Sequence, residues 1–323
     1  MSDVSFPEVS IQSLFEVGAH FGHRANKWNP KMEPYIYGER DGSHIINLVQ
    51  THGLMQIAVR AVYDVARRNG RILFVAHMSP EISQIIATYA TQCGQYYVNH
   101  RWLGGTLTNW ATISKSIKTL ENLEALLVAE KENPTRPKKE ILDIERRCEK
   151  LLKALGGVRN MGSTPDIVVV FNAQRDHLAI AEAVKLKIPV VAILDTNCDP
   201  DNIKYPIPAN DDAIRAIQYY CSAISMAALR GMEKAIHDAD SDPVKPTSAP
   251  IHHAGKRIVK YHQKRKVGNI ISDTSQDKMN EYLTSDNIKS DNDNNKNDAA
   301  TAAATGVDLS GDNMDKIVGD VVS

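Results

Sequence analysis

The sequence predicts a doubly wound α/β sandwich of about five parallel strands, with a helical hairpin insertion and a long low-complexity tail. Three observations predict it. Continuous apolar runs such as Asp166–Phe171 (DIVVVF) and Pro189–Leu194 (PVVAIL) alternate with helical patterns, as strands buried on both faces do. Two apolar stripes with three- and four-residue spacing meet at a break that carries Pro134 and Pro137. Beyond about Asp240 the composition shifts to a linker and a basic run, and from Ser272 to Asp, Asn, Ser and Ala with few large apolar groups, a composition that cannot bury a core.

In chain order, Val9–Ala19 reads as a short amphipathic helix with Ile11, Leu14, Phe15 and Gly18 on one face. The next stretch, HFGHRANKWNPKMEPYIYGERDG, reads as irregular. Long aperiodic segments inside compact domains are usually functional. SHIINLVQ from Ser43 reads as a strand, and Thr51–Asn69 as a helix with Leu54, Ile57, Ala58, Ala61, Val62 and Val65 inward. Strands follow at Arg71–Ala76, Gln95–Val98, Asp166–Phe171 and Pro189–Leu194. Helices are expected at Pro80–Cys93, Asp176–Lys187 and Asp211–Arg230. Within Thr106–Leu155, one stripe is Trp110, Ile113, Ile117, Leu120, Leu123 and Leu127. The other is Ile141, Ile144, Cys148, Leu151 or Leu152, and Leu155. Together they make an antiparallel, coiled-coil-like hairpin. The expected domains are 1–105 with 156–235 for the sandwich, 106–155 for the hairpin, and 236–323 for a flexible linker and tail.

The chain has 323 residues and a net charge of −1. Residues 1–240 hold 27 basic and 27 acidic side chains, so nucleic-acid binding has to come from local patches. No apolar run reaches the length of a membrane helix, and the N-terminus lacks a signal or transit pattern, so a cytoplasmic protein is expected. Cys93, Cys148, Cys198 and Cys221 are far apart and read as reduced, mostly buried thiols.

The fold invites an enzyme reading, because ligands of such sheets sit at the carboxyl ends of strands. The loop DTNCDPD offers Asp195, Asp199 and Asp201 for magnesium. The neighbouring strands, however, end in His77-Met78-Ser79 and Asn172-Ala173-Gln174, which supply no carboxylate. No phosphate loop, dinucleotide fingerprint or nucleophile elbow is present. His20 and His23 read as hydrogen-bonded loop histidines rather than as metal ligands. Three irregular segments remain, His23–Met32, Asn99–Asn109 and Lys153–Met161, each mixing Arg or Lys with Asn, Gly or Trp. Separate cations among glycines and amides suit a folded RNA surface, where phosphates and 2′-hydroxyls are met rather than base sequence. The last two segments flank the hairpin base and should lie close together. A basic run, Lys256, Arg257, Lys260, Lys264, Arg265 and Lys266, reads as a solvated charge cluster or an RNA contact of a free regulator.

LFEVGAHFGHRANKWNPKMEPYIYGERDGSHIINL, NHRWLGGTLTNW, the hairpin, and the segment from ALGGVRNMGSTPDIVVVF to ANDDAIRAI stand in one order. This arrangement resembles the universal small-subunit ribosomal protein two family in its bacterial form, over roughly Ser10–Arg230. The Leu14–Gly22 and Pro165–Val190 segments match both family signatures. The resemblance implies a flavodoxin-like fold and a structural, non-enzymatic part of the small ribosomal subunit, on its solvent side near the head–body junction. The implied partners are ribosomal RNA and neighbouring proteins, among them the largest, ribosomal protein one, through which messenger RNA is engaged. No cofactor, metal, membrane or small-molecule substrate is implied. Carried onto this chain, the RNA-facing residues are Arg24, Lys27, Trp28, Asn29 and Lys31; Arg101, Gly104, Gly105, Thr108 and Asn109; and Lys153, Arg159 and Asn160. Trp28 and Trp102 are read either as stacking surfaces or as loop cores.

Overall fold

The computed structural model describes residues 9–241. The expected tail and its Lys256–Lys266 cluster lie outside the described residues. Five parallel strands are hydrogen-bonded in the order β5-β4-β6-β7-β8, with β4 Ile72–Val75, β5 Tyr96–Val98, β6 Ile167–Val170, β7 Val190–Leu194 and β8 Tyr205–Pro208. Numbered within the sheet, that order is 2-1-3-4-5, the flavodoxin-like arrangement. Register runs straight across the centre: Leu73 faces Tyr96 on one side and Val168 on the other, and Val168 faces Val190.

Alternate residues of each strand point to opposite faces, so each strand feeds two cores. Ile72, Phe74, Val169, Val191 and Ile193 pack with Met55, Val59, Ile86, Tyr220 and Ile224. These partners come from α2 Leu48–Arg67, α3 Pro80–Gln92 and α7 Ile214–Ser241. Leu73, Val75, Val168, Val170 and Leu194 pack on the other face with Met32, Trp102, Ile113, Ile117, Leu155 and Ala179. That layer is supplied by α4 Trp110–Glu132, α5 Lys138–Leu155 and α6 His177–Lys185, with Met32 and Trp102 added from irregular segments. The four cysteines are free and buried.

The paired helices α4 and α5 are inserted between β5 and β6. Their burial is concentrated near the sheet, at Ile113, Ile117, Leu120, Cys148 and Leu155. Val128 and Leu142, nearer the turn, are exposed. Leu151 is partly buried and Leu152 exposed, which selects Leu151 for the second stripe.

Four expectations need correction. The fifth strand of the sheet is β8, not SHIINLVQ. Tyr-Pro-Ile-Pro does not read as a strand, because proline cannot donate to a ladder, but β8 is an edge strand, where that costs little. The stretch from Phe21 to Ile46, read as irregular up to Gly42 and then as a long strand, instead holds a three-stranded antiparallel sheet of order β1-β3-β2. Its strands are β1 Phe21–Arg24, β2 Ile36–Arg40 and β3 Ser43–Ile46. Helix α2 starts earlier than expected, at Leu48, with the Asn47 side chain accepting from the Val49 N–H. It buries Thr51, Met55 and Val59 and leaves Ile57 55% exposed. In α1, Ile11–Glu16, Leu14 alone is buried, and Phe15 is 61% exposed.

Candidate functional site

The first irregular segment is tied to the end of β7. The His23 N–H donates to Asp195 Oδ1 at 3.1 Å and to Thr196 Oγ1 at 3.0 Å. The Asn29 N–H donates to the Thr196 carbonyl at 2.8 Å. The His23 ring adds a contact of 2.9 Å from Nδ1 to buried Asp195, and Nε2 lies 3.6 Å from Asp212. Short 3-10 turns at Ala25–Lys27 and Pro30–Tyr35 follow. Asn29 caps the second, its Oδ1 accepting from the Lys31 N–H. Lys31 is committed inside the chain: its ammonium donates to Asp199 at 2.7 Å and also to Asp201. Arg24 and Lys27 are exposed. Trp28 is 36% exposed and leans on His44, with centroids 5.3 Å apart.

His23, Asp195 and Asp211 bring one potential ligand atom each within 4.8 Å of one another. An imidazole with two carboxylates is a donor set that fits a divalent cation such as zinc. Neither metal site weighed and set aside on the sequence, His20 with His23 or Asp195 with Asp199 and Asp201, combines these residues. Asp211 arrives from a separate loop and is held by the Asn172 side-chain amide at 2.8 Å. Its other oxygen has no hydrogen-bond partner among the described residues. The same closeness also arises without an ion. Hydrogen bonding to Asp195 outweighs burial and raises His23 to about 9. Burial, with Asp195 and Asp212 nearby, raises Asp211 to about 8.

The second and third segments meet at the base of the arm. Trp102, Leu107, Val158 and Met161 share one core, and the Trp110 indole donates to the Gly162 carbonyl at 3.2 Å. Trp102 is a loop core, 6% exposed. The loop is held by a residue that sequence reasoning missed, Glu182 of α6. Its carboxylate accepts from the Trp102 indole at 3.0 Å and from the N–H groups of Gly105 at 2.8 Å, Leu107 at 2.9 Å and Thr108 at 3.0 Å. A fifth bond comes from the Thr108 hydroxyl at 3.1 Å. Burial pushes the Glu182 carboxyl up, but the Trp102, Thr108, Gly105 and Leu107 donors outweigh it and hold it below the usual range. The local signal was slight: an acid three residues after buried Ala179 and next to buried Ala183.

Arg159 is also engaged internally, its guanidinium reaching Glu124 at 2.8 Å. Asn109 accepts from the Thr112 hydroxyl. Arg101, Gly104, Lys153 and Asn160 are exposed. A Cβ built on Gly104 would meet nothing within 4 Å among the described residues, which leave its flank open to an outside group. Near the other loop, Phe15, His20 and Phe21 form a surface stack with centroid spacings of 4.5 and 4.0 Å.

Fold and site together define a class: a flavodoxin-like α/β body with an inserted helical arm, whose three irregular segments carry or border exposed cations, Arg24, Lys27, Arg101 and Lys153 among them. The chain belongs to the ribosomal protein S2 family, whose family model matches residues 14–231. It is 52% identical over 236 residues to the small ribosomal subunit protein uS2 of Rickettsia bellii, covering 73% of this chain and 81% of that one. The uS2 proteins of Rickettsia felis and Rickettsia prowazekii are 52% and 53% identical over the same 73% of this chain, covering 80% and 79% of theirs. A structural role in the small ribosomal subunit, and so in translation, follows from the family. Among the described residues no helix is long and apolar enough to cross a membrane.

Proposed function

We propose that this chain binds small-subunit ribosomal RNA through its irregular loops, contacts neighbouring ribosomal proteins including protein one, and catalyses no reaction. It does this on cytoplasmic ribosomes. The observation that carries the reading is a sorting of the cations. Lys31 and Arg159 are consumed by internal carboxylates. Arg24, Lys27, Arg101 and Lys153 are exposed and have no ion-pair partner among the described residues. On a body with balanced charge, such cations form a local electrostatic footprint. The glycines and amides beside them permit close approach to a sugar-phosphate backbone.

For protein one, the supporting feature is the Phe15–His20–Phe21 stack, with Phe15 61% and Phe21 53% exposed. Clustered aromatic surface of this kind favours a protein partner. The test is co-sedimentation with small subunits lacking this chain, over rising salt, with and without purified protein one. Arg101→Ala is expected to release the chain at lower salt. Phe15→Ala with Phe21→Ala is expected to spare subunit association and weaken capture of protein one. A chain that stays at the top of the gradient in moderate salt contradicts the RNA reading.

A further inference from the structure

We propose that Glu182 is a positioning residue for RNA binding: its carboxylate fills a cradle of loop N–H groups and so fixes the loop that presents Arg101 and Gly104. The inference rests on the reading that this loop meets ribosomal RNA.

Gly105 has φ +86°, a conformation that side-chain-bearing residues adopt at a cost. The turn built there aims the N–H groups of Gly105, Leu107 and Thr108 at one carboxylate. Backbone N–H groups converging in this way form an anion-binding concavity. In a loop at an RNA surface the obvious occupant is a phosphate, yet Glu182 already holds the place. These amides are therefore withdrawn from RNA contact. Among the groups the loop still offers outward are the Arg101 side chain and the open flank of Gly104.

The fastening is also rigid. Glu182 stands on α6, whose Ala179 and Ala183 are fully buried against the sheet. The Trp102 indole, donating to the same carboxylate, lies one residue from Arg101. A single group thus links the helix layer, the tryptophan plug and the turn. Removing it leaves three converging N–H groups without an acceptor, which favours other loop conformations. Binding through Arg101 would then carry an ordering cost that the native loop has already met.

The experiment uses the full chain carrying Glu182→Gln, Thr108→Val, Arg101→Ala, or Arg101→Ala with Glu182→Gln. Amide exchange is read at Gly105, Leu107 and Thr108, and association with small subunits lacking this chain is read over a salt series. Glu182→Gln is expected to speed loop exchange by about tenfold or more and to lower the salt at which half the chain is released. Thr108→Val removes a single bond and should do the same more weakly, which keeps the test open if Glu182→Gln folds poorly. The double variant should bind no worse than Arg101→Ala, because both act on one contact. A merely structural role predicts additive losses. Unchanged exchange, or fast exchange with unchanged binding, overturns the proposal. If Arg101→Ala itself binds normally, the RNA reading of the loop has failed and the proposal falls with it; weak Arg101→Ala beside normal Glu182→Gln defeats the proposal alone.

Discussion

The segment that runs from β1 into the following loop and the loop before α4 are fastened to the same α/β body by carboxylates of different kinds. Asp195, at the end of β7, holds His23 through backbone and ring. It shares its surroundings with Asp211 and Asp212. Glu182, on a helix, gathers five donors by itself. The strand-end crevice, where an α/β enzyme would place its substrate, here anchors a loop. The difference also fixes opposite responses to pH. Glu182 has a lowered pKa, so its contribution is present above its ordinary value and is lost as pH falls. His23 is raised to about 9, so its contribution is full below its ordinary value of 6.5 and is lost as pH rises toward 9.

The comparison breaks most severely at the arm base. A Cβ on Gly157 would run into the Tyr97 carbonyl, with ring atoms at 2.7 and 2.8 Å. Gly157→Ala should therefore cost about 3 kcal/mol or more in denaturant unfolding. Next in size, Glu182→Ala should cost about 2 kcal/mol, since donors lose their acceptor in a site only partly closed to water; a loss below about 0.5 kcal/mol would show that water replaces the carboxylate freely. The pH contrast comes third. Amide exchange, corrected for its intrinsic pH dependence, should lose protection at residues 105–108 in acid and at residue 23 in base. A common direction for both loops would refute the distinction. Smaller still, Gly104→Ala should leave stability unchanged or raise it by about 0.5 kcal/mol. It should nevertheless weaken subunit binding by about 1 kcal/mol, roughly fivefold, if RNA packs against that flank. Last, Lys31→Ala should change neither the melting temperature nor the salt dependence measurably, because its exposed charge is already matched by Asp199 and Asp201.

The central sheet could be read from sequence because strands buried on both faces are written as unbroken Val/Ile runs. Ile167–Val170 and Val190–Leu194 are entirely buried. The small sheet could not. Phe21–Arg24 and Ile36–Arg40 mix Gly, His, Arg and Glu and show no fully buried residue, so no apolar–polar alternation marks them in the sequence. Phe15 misled in the opposite way: its helical spacing suggested a core position, while its ring lies on the surface against His20. The site followed the same rule. That the segments around Arg101 and Arg159 converge was deducible, since they flank one hairpin. That Glu182 holds Thr108 from 74 residues away, or that Asp199 and Asp201 take Lys31 from about 170, was not. Such pairings have no local period, and only the folded chain creates them.

The central claim is that a body of balanced charge grips RNA through a few exposed cations in or beside its irregular segments. It is tested most directly by the salt dependence of small-subunit association for a chain carrying Arg24→Ala, Lys27→Ala, Arg101→Ala and Lys153→Ala together. Every cation–phosphate pair removed should flatten the log–log slope by roughly 0.7 to 0.9, so the four substitutions should flatten it by about three. A slope identical to that of the unmodified chain, with folding intact, would contradict the account.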